Sequence, residues 1–122
     1  DAGPVYKKDD LNLDGTAEQI FIRMVKLAMS QIQFIIENNP KPIAQSANKQ
    51  ENFKRRRHSD SEINGEQSIE QLFDHIRMLD APGYPKAFLN KYGFNFEFYN
   101  ALLSDTGEIV DAHVKITKQK IY

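Results

Sequence analysis

The densest group of side chains able to do chemistry is a basic run, in which Lys54, Arg55, Arg56 and Arg57 are consecutive. Three interpretations of this run stay open. It is a solvated linker that binds nothing, as most charge runs are, or its arginines bind a phosphate or diphosphate, which the planar guanidinium fork suits. The third interpretation is contact with RNA, which usually needs a broader basic surface. Acidic residues flank the run on both sides and dilute its field.

The three histidines, His58, His75 and His113, do not form a metal-binding pattern. No pair has the i, i+4 spacing of a helical zinc site, and the carboxylates are scattered along the chain. Cysteine is absent, which excludes disulfides and thiolate ligands. We therefore expect no metal.

The composition is that of a globular protein. The chain has 122 residues, 40% of them hydrophobic and 27% charged, with a formal net charge of −1. This size fits one domain or the tail of a larger one. The charge balance disfavours a nucleic-acid binder that relies on an overall positive field. No uninterrupted apolar run reaches the ~18 residues of a membrane span, so we expect a cytoplasmic protein without membrane contact.

The elements that must position these side chains begin with a short strand within Pro4–Leu13 and a long helix over residues 16–38. Thr16 and Gln19 form a predicted capping box, and Pro40 ends the helix. Apolar residues recur at helical spacing on one predicted face: Ile20, Met24, Leu27, Ala28, Ile32, Ile35 and Ile36.

After a polar, proline-containing stretch, a second helix is predicted from an apolar stripe: Ile69, Leu72, Phe73, Ile76 and Leu79. Two strands with alternating apolar residues follow, one over residues 94–99 and one over 110–117. A turn at Gly107 should pair them antiparallel. We interpret the Phe94, Phe96 and Phe98 row as core, not as a base-stacking surface.

In this order, the segments resemble the C-terminal half of the folate-dependent formyltransferase family, which includes methionyl-tRNA formyltransferase and the sugar N-formyltransferases. DAGPVY is similar to the family's Asp-Ala/Thr-Gly motif, and TAEQIF to IIENN is similar to its long helix. FKRRRHSDSEI resembles the linker of the sugar-directed members, and IRMLDAPGYPKAFL resembles the passage into the C-terminal domain.

The resemblance implies an α+β fold in three parts. Residues 1–43 would be the end of a Rossmann-like formyltransferase domain, with one strand and the long helix. Residues 44–65 would be a linker. Residues 66–122 would be a small C-terminal domain with one helix and an antiparallel β-sheet.

The activity implied by the resemblance is transfer of a formyl group from N10-formyltetrahydrofolate to an amine. Asp1 matches the family's catalytic aspartate, which positions a histidine, and Ala2 and Gly3 would lie beside the folate. The family's Asn-x-His motif and folate loop precede its aspartate, and neither occurs in this sequence. We therefore expect a C-terminal fragment that is inactive alone.

The expected acceptor is a small-molecule amine, an amino sugar on a nucleotide, with Arg55, Arg56 and Arg57 as substrate-binding residues. A tRNA acceptor is the alternative. The tRNA enzymes commonly carry Ile-Asp-Trp before the second helix, whereas this chain has Ile63-Asn64 followed by glycine and contains no tryptophan. Hydrolysis of the formyl donor by water also stays open.

A competing hypothesis from another class is a stand-alone binding or oligomerisation module without catalysis. Such a module should be a cooperatively folded monomer or a closed dimer. A fragment should instead expose the apolar face of the long helix, which would have covered a missing sheet. Exposed patches of that size favour self-association, so a homo-oligomer through this helix face is expected.

Overall fold

The computed structural model describes residues 3–45 and 53–119. Its elements, in chain order, are α1 (Ala17–Asn38), a 3₁₀ turn (His58–Ser61), α2 (Ile69–Arg77), β1 (Ala87–Lys91), β2 (Phe94–Leu103) and β3 (Val110–Lys118). The expected α+β class, with a long helix followed by one helix and an antiparallel sheet, is confirmed. The chain divides into two compact units, residues 1–14 with 19–55 and residues 15–18 with 56–122. The predicted division at residues 43 and 65 stays a prediction.

The first unit is built around α1, and the segment before the helix runs back along it. The ammonium of Lys7 lies 4.6 Å from the Phe34 ring centroid, and the Gln31 amide donates to Asp9 at 2.9 Å. Farther along the segment, the Arg23 guanidinium donates to the carbonyl oxygen of Asn12 at 3.1 Å. The helix ends where Asn39 takes a positive φ of 42° and Pro40 follows.

The strand predicted within Pro4–Leu13 is a single antiparallel bridge in the described residues. Val5 and Ile43 exchange two N–H···O bonds of 2.8 Å. A longer strand needs a continuous hydrogen-bonding neighbour, and residues 7–14 instead direct polar groups at α1. In the described residues, the segment that resembles a strand of the family's sheet therefore forms only this bridge.

In the second unit, side-chain hydrogen bonds cap the N-terminus of α2. Ser68 is the N-cap, and its hydroxyl accepts from the Gln71 backbone N–H at 3.2 Å. The Gln71 side chain accepts in return from the Ser68 N–H at 2.9 Å, completing a capping box. Ile76, in the predicted apolar stripe, is 2% exposed.

The sheet is antiparallel in the order β1-β2-β3. The pairing of β2 with β3 was predicted, but β1 was not. β1 joins β2 through Tyr92 and Gly93, which take positive φ angles of 54° and 77°. Such angles at both central residues match the right-handed twist of a tight hairpin. A bulge on β2, between Tyr99 and Leu102, interrupts the pairing with β3.

The hydrophobic core lies between α2 and one end of the sheet. Its buried members are Ile76, Leu79, Ala87 and Ala101, and the half-buried residues packed on them are Ile63, Leu72, Phe73, Phe98 and Val110. The phenylalanine row is thus core only at Phe98. Phe94, at the other end of the same strand face, is 43% exposed because α2 covers only the end that carries Phe98.

One side of α1 presents an apolar stripe to solvent. Its members, at alternating spacings of three and four residues, are Ile22, Val25, Met29, Ile32 and Ile36, each at least half exposed. Of the face predicted from the sequence, Ile20 is buried, whereas Met24, Ile32 and Ile36 are exposed. By length and composition alone, α1 is also long and apolar enough to cross a membrane. The sequence analysis expected no such segment. The core helix of a soluble protein can pass the same test.

Candidate functional site

The predicted catalytic and cofactor-binding residues lie at the first positions of the chain. Asp1 and Ala2 fall outside the described residues. The Gly3 carbonyl oxygen accepts from the Gln45 amide at 2.6 Å, next to the Val5–Ile43 bridge. A Cβ built on Gly3 would meet no atom within 4 Å. The space beside Gly3 is therefore open, and the roles of Asp1, Ala2 and Gly3 stay predictions.

The chain that leaves this candidate site is fastened to α1 by charged and polar contacts. Asp9 accepts from Gln31 and lies 3.4 Å from the Lys7 ammonium. The hydrogen bond from Gln31 is the main cause that lowers the pKa of Asp9. Desolvation opposes it, and the hydrogen bond and charge of Lys7 lower the pKa further. Asp9 is thus held as a carboxylate that links the segment after DAG to the helix.

Two residues of the basic run, Arg56 and Arg57, make contacts with Asp60. The boundary between the two compact units falls between Arg55 and Arg56. The Arg56 guanidinium donates to the Asp60 carbonyl oxygen at 2.6 Å, and the Arg57 backbone N–H donates to the Asp60 carboxylate at 2.6 Å. Arg56 and Arg57 therefore stabilise the 3₁₀ turn, and the predicted binding of substrate by Arg55, Arg56 and Arg57 stays a prediction.

The residues directly after the 3₁₀ turn cover the outer edge of β1. The Ile63 N–H donates to the Phe88 carbonyl oxygen at 2.7 Å, and Glu62 forms a parallel bridge with Phe88. The His58 ring lies 4.8 Å from the Phe88 ring, and Ser61 is 1% exposed. This part of the predicted linker is hence a packed component of the second unit.

His75 is a half-buried titratable group whose environment the sequence did not indicate. Its Nδ1 lies 3.3 Å from the Gln67 amide nitrogen, and its Nε2 is buried with no partner among the described residues. Burial is the main cause that lowers the pKa of His75, and the charge of Arg56 contributes, whereas the Ser61 backbone opposes both. The ring is consequently held neutral, which suits a packed side chain and not a cation.

Asp80 is a second buried polar residue that sequence reasoning missed. Its carboxylate accepts from the Lys86 ammonium at 2.5 Å and from the Asn100 backbone N–H at 2.7 Å. Its carbonyl oxygen accepts from the Glu18 N–H at 3.1 Å. The only available signal was an acidic residue just before the Pro82-Gly83 turn. Since all its partners belong to the fold, Asp80 organises the second unit and is not a free catalytic acid.

No metal site emerges from the described parts of the chain. No group of three or more His, Cys, Asp or Glu residues comes together in residues 3–45 and 53–119. A shallow groove on α1 is lined by residues that include Met29, Ile32, Ile36 and Glu37. This groove belongs to the exposed apolar stripe and carries no convergent polar groups.

Comparison with known proteins gives a family match and similar solved structures. Residues 58–117 match the family described as "Methionyl-tRNA formyltransferase, C-terminal domain". The structure of "Methionyl-tRNA formyltransferase from Clostridium thermocellum" is similar over 97% of this chain, with 35% sequence identity and a TM-score of 0.88. A search of curated proteins found no match.

The extent of the structural match defines which part of the relative this chain resembles. The chain spans 51% of the length of the Clostridium thermocellum protein. The family match covers the 3₁₀ turn, α2 and nearly all of the sheet, and the structural match also includes α1. The chain therefore belongs to the formyltransferase family that contains methionyl-tRNA formyltransferase, and it corresponds to the C-terminal region of its members.

Proposed function

We propose that this chain is part of an N10-formyltetrahydrofolate-dependent N-formyltransferase whose acceptor is the amino group of an aminoacyl-tRNA. The observation that carries the proposal is the match of residues 58–117 to the C-terminal domain of methionyl-tRNA formyltransferase. The similar solved structure carries the same name. The whole protein's activity, donor and acceptor all belong to the proposal, because the chain spans about half of that relative.

The expected amino-sugar acceptor is less well supported than the tRNA alternative. It depended on the absence of an Ile-Asp-Trp signature and on a phosphate-binding interpretation of the arginine run. The contact between the Arg56 guanidinium and Asp60 weakens the second argument for Arg56. Arg57 contacts Asp60 through its backbone N–H, which does not bear on the role of its guanidinium. An amino sugar stays the second candidate because Asn64 and Gly65 occupy the signature positions.

The proposed chemistry needs an amine that loses a proton while its nitrogen attacks the formyl carbon. The donor would supply an activated formyl group, and the tetrahedral oxyanion needs hydrogen-bond donors. Collapse of the oxyanion would break the bond between the formyl carbon and N10, and tetrahydrofolate would leave with a proton on N10. Asp1 would accept a hydrogen bond from a histidine elsewhere in the longer protein and favour the charged imidazole. The absence of a side chain at Gly3 would allow the backbone to approach a flat pterin ring closely.

The test is an assay of the longer protein that contains this chain, with N10-formyltetrahydrofolate as donor. Methionyl-tRNA and a nucleotide-linked amino sugar should be offered in parallel, and formylated products and free formate measured by mass spectrometry. The proposal requires formylated tRNA. Formylation of the sugar alone would transfer the assignment to the second candidate, and release of formate alone would show hydrolysis.

The role of Asp1 is tested in the same protein with Asp1→Asn, which keeps the size of the side chain and removes its charge. We expect kcat to fall by about a hundredfold or more, as for loss of an acid–base group. Asp10→Asn, at an exposed position, is the matched control and should retain activity. Similar activity of the Asp1 and Asp10 variants would contradict the proposed catalytic role. The isolated chain should form no product with either acceptor.

A further inference from the structure

A short segment between α1 and α2 is packed on β1 by a small number of contacts. This segment, residues 56–63, contains the 3₁₀ turn, and we call it the latch. Its pairing with β1 is confined to the bridge between Glu62 and Phe88, in which the Ile63 N–H donates to the Phe88 carbonyl oxygen at 2.7 Å. The His58 ring lies 4.8 Å from the Phe88 ring. Segments held by few contacts open locally at a lower free energy than the core.

The latch also lies close to His75 of α2. The charge of Arg56 and the backbone of Ser61, both in the latch, act on the His75 ring, and Ser61 is 1% exposed. The Nε2 atom of the ring is buried and has no hydrogen-bond partner among the described residues. Such a site accepts a neutral ring, but a charge without a partner there is costly. The packing of the latch on α2 therefore needs an uncharged His75.

The groups around the ring do not compensate for an added proton. The Gln67 amide nitrogen, 3.3 Å from Nδ1, is uncharged, and Arg56 carries the same charge as a protonated ring. The nearby carboxylates have other partners, because Asp60 accepts within the latch, Asp74 is in an ion pair on α2, and Glu62 accepts from an asparagine amide on β1. The sheet residues in the core beside α2 are apolar: Ala87, Phe98, Ala101 and Val110.

We propose that the latch is a pH-dependent switch, which protonation of His75 releases from α2 and β1. In the released state water reaches the ring, and its pKa returns to about 6.5. The pKa of His75 is lower in the latched state, mainly because of burial. Between these two pKa values the released state binds more protons, so a fall in pH favours release and a rise favours latching.

Release changes the second unit without unfolding its core. The Phe88 carbonyl oxygen loses the Ile63 N–H, so the outer edge of β1 becomes open to solvent. The unpacked connection between α1 and α2 becomes longer, because residues 56–63 join it. The core members on α2 and the sheet do not include the 3₁₀ turn, so the contacts between α2 and the sheet are retained.

The experiment measures amide hydrogen exchange by mass spectrometry of peptide fragments from the longer protein that contains this chain. Rates are corrected for the intrinsic effect of pH and compared at about pH 7 and about pH 5. Protection of a fragment covering residues 58–63 should fall by up to about tenfold per pH unit, the effect of one proton. When this fragment has exchanged at the lower pH, a fragment covering β2 should still be protected, because release leaves the core intact.

Two variants test the group that titrates. His75→Gln keeps a polar side chain that gains no proton, so the pH dependence of latch exchange should disappear. His58→Gln, an exposed histidine within the latch itself, is the matched control and should keep the native pH dependence. Arg56→Gln removes the charge that helps to lower the pKa of His75, so the change in protection between the two pH values should be smaller than in the native protein.

The native pH dependence in His75→Gln would overturn the proposal, and so would its loss in His58→Gln alone, which would assign the effect to His58. Exchange of the latch and β2 fragments at the same rate at the lower pH would also overturn it, because the whole unit would then unfold in place of the latch. Circular dichroism spectra would show whether the variants are folded. If His75→Gln does not fold, an unchanged pH response in Arg56→Gln would refute the switch.

Discussion

Asp80 contacts three parts of the second unit. Its carboxylate, 11% exposed, holds the Lys86 ammonium and the backbone N–H of Asn100, and Asn100 takes a positive φ of 50° at the β2 bulge. A bulge leaves a backbone group without its ladder partner. Asp80 therefore stabilises the bulge by accepting the hydrogen bond that β3 does not supply.

Asp80→Ala should lower the free energy of unfolding by about 1–3 kcal/mol, since it leaves a half-buried ammonium and a backbone N–H without an acceptor. Urea denaturation measures the change. Asp74→Ala is the matched control, because the Asp74 side chain in its ion pair with Arg77 is 58% exposed. The control should cost less than about 1 kcal/mol. Equal losses in the two variants would contradict the organising role of Asp80.

The lowered pKa of His75 gives the stability of the second unit a defined pH dependence. In the unfolded chain, the pKa of this ring is about 6.5. Between that value and the lower pKa of the folded state, the unfolded chain binds more protons, so stability falls as the pH falls. Protonation would place a charge on a buried nitrogen that lacks a partner.

His75→Gln should reduce this pH dependence while it retains a polar side chain near Gln67. Melting temperatures measured between about pH 7 and about pH 5 should decline less steeply in the variant than in the native chain. His113→Gln changes an exposed ring on β3 and serves as the control, with the native slope expected. Identical slopes for the native chain and His75→Gln would show that other groups cause the pH dependence.

At the scale of elements, the hairpin between β1 and β2 depends on Gly93. Its φ of 77° is unfavourable for a residue with a Cβ, and its carbonyl oxygen accepts from the Gln119 N–H at 2.9 Å. Gly93→Ala should therefore destabilise the chain by about 1–2 kcal/mol in thermal or urea unfolding. Gly3→Ala is a matched control, because Gly3 has no positive φ and has open space around it. A loss at Gly3 equal to that at Gly93 would refute the backbone argument.

At the scale of the whole molecule, we expect the exposed stripe of α1 to be covered by another part of a longer protein. The chain spans 51% of its solved relative, and Met29 in the centre of the stripe is 66% exposed. Met29→Lys should leave the stability of this chain within about 0.5 kcal/mol. It should also reduce binding of an apolar dye such as ANS.

The same substitution should destabilise the longer protein by at least about 1–2 kcal/mol, because burying a lysine without a partner is costly. Lys26→Met, which adds an apolar side chain at an exposed position outside the stripe, tests whether dye binding follows the stripe or the whole helix. Unchanged stability of the longer protein with Met29→Lys would show that the stripe stays exposed there.

The sequence by itself determined the elements whose signals are local. Helical spacing defined α1 and α2, the Ser-x-x-Gln pattern at Ser68 agrees with the observed cap, and period-two alternation defined β2 and β3. The order of these segments also carried the family assignment. Each depends on side chains within a few positions of one another, so no knowledge of distant contacts was needed.

Tertiary structure decided the features that depend on distant residues. β1 is short, and Ala87 and Phe88 are both buried, so it lacks the alternation that marks a half-buried strand. The contacts of Arg56 and Arg57 with Asp60 were not evident from the sequence, and the binding of substrate by these arginines stays a prediction. The burial of His75 and the partners of Asp80 arise from packing between α2, the linker and the sheet. Such contacts join residues far apart in sequence, which is why periodicity and composition could not reveal them.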